Sequence, residues 1–309
     1  MKAFRRAAGF TLAELAIALL IVALLLASSF IPLSTQMEVR NISETQRSLD
    51  QIKEALIGFA LANGRLPCAA RGQTPTGTTD TTTWPAQFAA GAELWNTTNS
   101  SCYATLGVVP WATLGLPETD AWGRRFTYRV AQAFADAPGL TTWQSRLTAY
   151  TPGAFLPQAL PAHLSPANQS LACDLYTAPT RSSFALCTQG DIAVLTRSET
   201  DHATVTPLGT GIPVVIISHG KNGYGAYLNN GQQVTGGGGA DEVANSSGST
   251  QVTPPGGVLS NAFYSRNFTP GAAGCDDTAG TVFCEFDDIV SWISSNALIA
   301  RMASAGNLP

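Results

Sequence analysis

The hydrophobic pattern is most uneven at the start of the chain. From Leu15 to Gln36 no residue is charged, a run longer than the ~20 residues a helix needs to cross a hydrocarbon core. Lys2, Arg5 and Arg6 precede it, so a spanning helix would keep the short N-terminus in the cytoplasm and export the rest. Beyond this run the pattern changes. Ile42, Leu49, Ile52, Leu56 and Phe59 recur at helical spacing, while Glu44, Arg47, Asp50, Lys53 and Glu54 fall mostly off that stripe. Gly64 and Pro67 supply a stop after Asn63. The pattern predicts one helix over residues 10–63, transmembrane over 10–35 and amphipathic beyond, bent or loosened at Pro32.

Past the helix the period shortens. "RFTYRV" (Arg125–Val130), "DIAVLT" (Asp191–Thr196) and "IPVVIIS" (Ile212–Ser218) read as strands, and the last is so apolar that it belongs at a sheet centre. "CEFDDIVSWIS" reads as another strand, and "SNALIARMASAG" as a short terminal helix closed by Gly306. Three stretches lack any period: "QTPTGTTDTTTWP", "TPGAFLPQALPAHLSPANQS" and "GQQVTGGGGADEVANSSGSTQVTPPGG". They read as loop insertions in one head domain, because no segment between them has an independent core. The expected fold is therefore α+β: a long N-terminal helix packed on a β-rich head, residues 64–309, with large insertions.

Composition sharpens this picture. Of 309 residues 45% are hydrophobic and only 12% charged, which favours strands and turns over solvated helices. The net charge is −4, and loss of Lys2, Arg5 and Arg6 would take it to −7, so general nucleic-acid binding is not expected. Six cysteines, Cys68, Cys102, Cys173, Cys187, Cys275 and Cys284, include no C-x-x-C pair. Zinc ribbons and thioredoxin-type sites need tighter spacing, so disulfides in an oxidising compartment are expected, with reduced buried cysteines as the alternative. Pairing of sequence neighbours is the simplest of about 15 connectivities.

One carboxylate stands out. Glu14 heads the apolar run, and a charge in a translocating helix costs about 2–3 kcal/mol unless it has a partner. An ordinary signal peptide, cut near the small residues Ala27, Ser28 and Ser29, does not account for it, nor does a plain membrane anchor. "GFTLAEL" (Gly9–Leu15) resembles the class III leader of type IV prepilins and type II secretion pseudopilins: a basic leader, a glycine, an aromatic residue and a glutamate four residues later. The resemblance implies that residues 1–9 are a leader, that prepilin peptidase cuts between Gly9 and Phe10, and that Phe10 becomes N-methylated. Glu14 would then neutralise the amino terminus of a neighbouring subunit during assembly, turning two charges that are costly in lipid into one pair.

A second resemblance lies in the head. "DAWGRRFTYRV" (Asp120–Val130), "SHGKNGYGAY" (Ser218–Tyr227), "DEVANSSG" and "FDDIVSW" are similar to the C-terminal layout of pseudopilin heads. Major pseudopilins of type II secretion hold calcium in that region, which nominates Asp241, Glu242, Asn245 and Ser246 as oxygen ligands, against the plainer reading of a solvated acidic loop.

Other candidate chemistry is thin. Ser218 and His219 are adjacent on a strand and so point to opposite faces; His163 and His202 are isolated; and "SHGKNG" lacks the spacing of a phosphate loop. The tryptophans Trp84, Trp95, Trp111, Trp122, Trp143 and Trp292 offer a sugar platform only if exposed, and core packing is their commoner use. The expectation is a non-enzymatic minor pilin or pseudopilin requiring no cofactor, anchored in the inner membrane with its head in the periplasm and assembled with other pilins into a periplasmic or surface filament. The alternative is a secreted, disulfide-bonded binding or enzymatic domain with an ordinary signal peptide.

Overall fold

The computed structural model describes residues 11–81, 87–138, 182–184, 188–252, 260–280 and 282–308, with the side chains of 24–35 also outside the description. The chain divides into two compact units, Met1–Glu44 and Thr45–Pro309. Helix α1 covers Leu12–Asn63, so its first part belongs to one unit and its last part opens the other. In the first unit α1 is unbroken at Pro32, and Leu15, Ile17, Leu19 and Leu20 are each more than half exposed. Among the described residues no helix is long and apolar enough to cross a membrane. The span expected over 10–35 reaches into positions outside the described residues.

In the second unit the predicted stripe is buried at Leu49, Ile52 and Leu56, joined by Ile57 and Ala60. Phe59 is only half-buried, with the Arg65 guanidinium over its ring at 5.2 Å. Gly64 ends the helix at φ +69°, a conformation that costs a side-chain-free residue nothing, and its N–H donates to the Ala60 carbonyl at 2.8 Å.

Two four-stranded sheets form the framework. The first holds β5 (Leu106–Val108), β6 (Thr127–Val130), β9 (Val214–Ser218) and β12 (Ile289–Ile293) in the order β12-β9-β6-β5, antiparallel throughout. Every residue of β6 and β9 is buried, so Val214–Ser218 of the predicted run does occupy a sheet centre, while its first residue, Ile212, ends a strand of the other sheet. The second holds β7 (Ile192–Arg197), β8 (Val205–Ile212), β10 (Gln251–Val252) and β11 (Ser260–Tyr264) in the order β10-β11-β7-β8, with β11 and β7 parallel. The chain passes from one sheet to the other at Pro213, between β8 and β9. Two short hairpins complete the strands: β1 (Thr79–Asp80) with β2 (Phe88–Ala89), and β3 (Trp95–Asn96) with β4 (Ser101–Cys102).

Among the helices, α2 is one turn at Trp111–Leu114, α3 spans Ala240–Ser247 and α4 spans Ser295–Ser304. Helix α4 starts where Ser294 Oγ accepts the Ala297 N–H at 3.3 Å, and it buries Leu298 and Met302. Just beyond it, Asn307 donates to the Leu61 carbonyl of α1 at 2.8 Å. Two disulfides, Cys68–Cys102 and Cys275–Cys284, join sequence neighbours as expected. Cys173 and Cys187 lie outside the described residues.

Helix α3 corrects the sequence reading. The segment expected as a solvated acidic loop is a helix whose Asp241 and Glu242 have no solvent exposure. Both acids sit in its first turn, where the helix dipole favours negative charge, and Gly248 closes it in the left-handed conformation.

Candidate functional site

The motifs of the head meet at one place. Asp120 heads the turn into β6. Its Oδ1 accepts the N–H groups of Trp122 and Arg124 at 2.9 and 3.0 Å, and its Oδ2 accepts the Ser218 hydroxyl at 2.6 Å. One carboxylate thus pins the entry of β6 to the end of β9. Burial pushes the Asp120 carboxyl above its ordinary value against these bonds.

From the next residue a buried polar chain runs across the core. His219 Nε2 lies 2.8 Å from the Thr127 hydroxyl and its Nδ1 lies 3.2 Å from Asp288 Oδ1. A carboxylate only accepts, so the ring proton between them is on Nδ1. Asp288 Oδ2 accepts from Asn245 Nδ2 at 2.8 Å, and Asn245 brackets Tyr264 by donating to its carbonyl and accepting its N–H. The chain of contacts links β6, β9, β12, α3 and β11, stitching the two sheets through α3. Hydroxyl, imidazole and carboxylate stand in the order of a hydrolytic triad, yet Thr127, His219 and Asp288 are 4%, 0% and 3% exposed. That burial closes off any approach to the hydroxyl. Ser218, bonded to Asp120, takes no part, as expected for adjacent residues on a strand.

Beside this chain three carboxylates converge. One oxygen each from Glu242, Asp287 and Asp288 lies within 4.8 Å of the others. Glu242 Oε1 accepts Asn222 Nδ2 at 2.9 Å and the Asp287 N–H at 3.3 Å, while Asp287 Oδ2 accepts the Asn222 N–H at 2.7 Å. Their other oxygens, Glu242 Oε2 and Asp287 Oδ1, are buried with no hydrogen-bond partner among the described residues. The hairpin after β9 presses close here. Gly220, at φ +51°, would drive a Cβ to within 2.2 Å of the Asp287 carbonyl.

Electrostatics mark the cluster as incomplete. Burial, then the charge of Asp288, pushes the Glu242 carboxyl up to about 7. Burial also raises Asp287 to about 6, against the Asn222 N–H. Three crowded carboxylates with two orphaned oxygens form a hard-oxygen donor set that fits a divalent cation such as calcium.

Only one of the four ligands expected from sequence belongs to this group. Asp241 faces the other way, where Arg197 Nε and Arg266 Nε bond its two oxygens at 2.7 and 2.9 Å. Asn245 is spent on Asp288 and Tyr264, and the Ser246 hydroxyl donates to the Val243 carbonyl at 3.0 Å. Asp287 and Asp288 were visible as the acidic pair of "FDDIVSW", but nothing local in sequence brings them to Glu242. Of the tryptophans, Trp95, Trp111, Trp122 and Trp292 are buried or half-buried, so none of the described ones offers an open platform. Trp84, Trp143 and His163 lie outside the described residues.

At the other end of the chain, Gly9 and Phe10 lie outside the described residues, and Glu14 is engaged within its own helix. Its Oε2 accepts both the N–H and the hydroxyl of Thr11 at 2.9 Å, and its N–H donates to the Thr11 hydroxyl at 3.3 Å. This is a capping box, in which Thr-x-x-Glu satisfies orphaned donors at a helix start.

Residues 4–30 match the family model of the prokaryotic N-terminal methylation motif. The start of the chain therefore carries a prepilin-type methylation motif. The matched stretch contains Gly9, Phe10 and Glu14, and it includes the capped start of α1. No curated protein and no solved structure matches the chain.

Proposed function

We propose that the protein is a structural filament subunit, a minor pilin or pseudopilin, cut by prepilin peptidase between Gly9 and Phe10 and assembled through α1. The methylation motif at residues 4–30 carries this reading. The open apolar side chains at the start of α1 support it, because an unpartnered greasy helix needs lipid or other helices around it. In this reading the precursor sits in the inner membrane with its head in the periplasm. Glu14 exchanges its bond to Thr11 for the amino terminus of a neighbouring subunit as the filament forms. The head works by contact rather than catalysis, and its large insertions suit a minor or tip position better than a repeated one.

Within the head, Glu242, Asp287 and Asp288 would hold calcium. The cation would offset the mutual repulsion of two buried carboxylates and one half-buried one and would fix α3, the hairpin after β9 and the start of β12 together. Its role is structural, and no reaction is assigned to it.

Mass spectrometry of the mature protein tests the main reading. An N-methylated Phe10 at the new terminus is expected. A mature chain beginning near Phe30, as an ordinary signal peptide would leave, overturns the proposal.

A further inference from the structure

A cleft of about 570 Å³ opens on the second sheet, away from the acidic cluster, between the end of β7, the edge strand β8, the segment after β11 and the disulfide loop 275–284. Its volume is that of a small-molecule site. Thr196, Arg197, Leu208, Ser265, Arg266 and Phe283 lie along it.

The two arginines are held very differently. Arg266 bonds through all three nitrogens: Nε to Asp241, Nη1 to the Thr269 hydroxyl at 2.7 Å, and Nη2 to Asp277 and the Cys284 carbonyl at 2.9 and 3.3 Å. It is also sandwiched between the rings of Phe283 and Phe286, 4.3 and 4.4 Å from their centroids. Arg197 bonds Asp241 through Nε and the His202 carbonyl through Nη1, at 2.7 and 2.9 Å. Its Nη2 makes no hydrogen bond among the described residues, although the side chain is only 8% exposed. Nor do the hydroxyls of Thr196 and Ser265, which the pairing of β7 with β11 brings side by side. A largely covered guanidinium with one corner open to the cleft, beside two hydroxyls without a protein partner among the described residues, is a ready set of donors for ligand oxygens.

The rest of the cleft narrows the ligand class. Asp241 and Asp277 balance the two arginines, and Glu199 at the rim, bonded to Asn267 at 3.0 Å, adds a negative charge. An anion therefore gains little here. Phe283 has His202 stacked at 3.6 Å and Arg266 on it as well, so its ring is already committed and gives no apolar floor for a peptide side chain. Leu208, 48% exposed, is the aliphatic wall. We infer that this cleft binds a neutral saccharide, with Arg197, Thr196 and Ser265 donating to its oxygens and Leu208 against its carbon face.

Saturation-transfer NMR on the full mature chain in detergent tests this with glucose, galactose and N-acetylglucosamine as probes. N-acetylneuraminic acid and a neutral tetrapeptide serve as the competing chemistries. Transfer to at least one neutral sugar is expected, weakened five- to tenfold by Thr196→Val and by Ser265→Ala. Leu208→Trp, an exposed change on the edge strand that crowds the cleft without disturbing its buried charges, should abolish it even if the other variants fail to fold. No transfer to any neutral sugar, transfer untouched by Leu208→Trp, or stronger binding of the acid or the peptide would overturn the inference.

Discussion

Asp241 and Glu242 are neighbours on the first turn of α3, both without solvent exposure, yet they meet opposite surroundings. Asp241 lies between Arg197 and Arg266, and Asp277 completes a group of two cations and two anions. Glu242 instead meets the carboxylates of Asp287 and Asp288. The first cluster is closed in charge: its two cations and two anions cancel, and every nitrogen of Arg266 is bonded. The second is open, with three like charges and two orphaned oxygens. Buried charge alone therefore says little about function. What points to a ligand is the imbalance, because a fold gains nothing from crowding carboxylates that it could have left in water.

Breaking the closed cluster should give the largest effect. Asp241→Asn keeps the shape of the side chain but leaves Arg197 facing a neutral amide and Arg266 with Asp277 as its remaining carboxylate. Loss of one partner from a buried charge network typically costs roughly 3–5 kcal/mol. Urea unfolding of the oxidised protein should show a loss of that order, with an unchanged dependence on denaturant. A loss below about 1 kcal/mol would mean that the arginines find other acceptors and that the cluster is not closed in the sense argued.

The same helix shows where sequence reading succeeds and where it fails. The stripe Leu49, Ile52 and Leu56, the stop at Gly64, the strands β6, β7 and β9 and the terminal helix α4 all follow from apolar period and punctuation, which tertiary structure left in force. Helix α3 is inverted: Asp241, Glu242 and Asn245 face inward while Val243 is 41% exposed. A hydrophobic pattern cannot find an element whose buried face is polar. Strand β8 was missed for another reason. It is an edge strand carrying Pro207, Gly209 and Gly211, residues that blunt a sheet edge and read as loop. The acidic site was half legible: each acid stood in a recognisable motif, but Glu242 and Asp287 are 45 residues apart along the chain, and only the fold joins them.

A pH series sharpens the contrast next. In the fold Glu242 titrates at about 7 and Asp287 at about 6, against ordinary values of 4.5 and 3.8. Between about pH 4 and 7 the folded state therefore holds more protons than the unfolded one, so stability falls as pH rises through that window and levels off above it. The loss between pH 4.5 and 8 should be on the order of 3 kcal/mol in chelator, the two groups being coupled and not additive. Millimolar calcium should remove most of it at pH 8, since the cation takes the place of the protons. A chelated protein as stable at pH 8 as at pH 4.5 would show that the three carboxylates cost the fold nothing.

The smallest expected effect is the most discriminating, because it repeats the first substitution one residue along with the opposite sign. Glu242→Gln preserves the Oε1 acceptor for Asn222 and for the Asp287 N–H while removing one of three crowded charges. In chelator at pH 8 it should stabilise the protein by about 1–2 kcal/mol, part of the repulsion and desolvation being relieved and Asp287 and Asp288 still facing each other. It should also flatten the pH profile and cut the stabilisation by calcium, since a neutral amide is a poorer ligand for a hard cation. Adjacent isosteric changes on one helical turn, one harmful and one helpful, follow from the charges around each side chain. If Glu242→Gln destabilises the chelated protein as Asp241→Asn does, both acids are serving the fold as paired structural charges, and the open cluster has a counter-charge of its own.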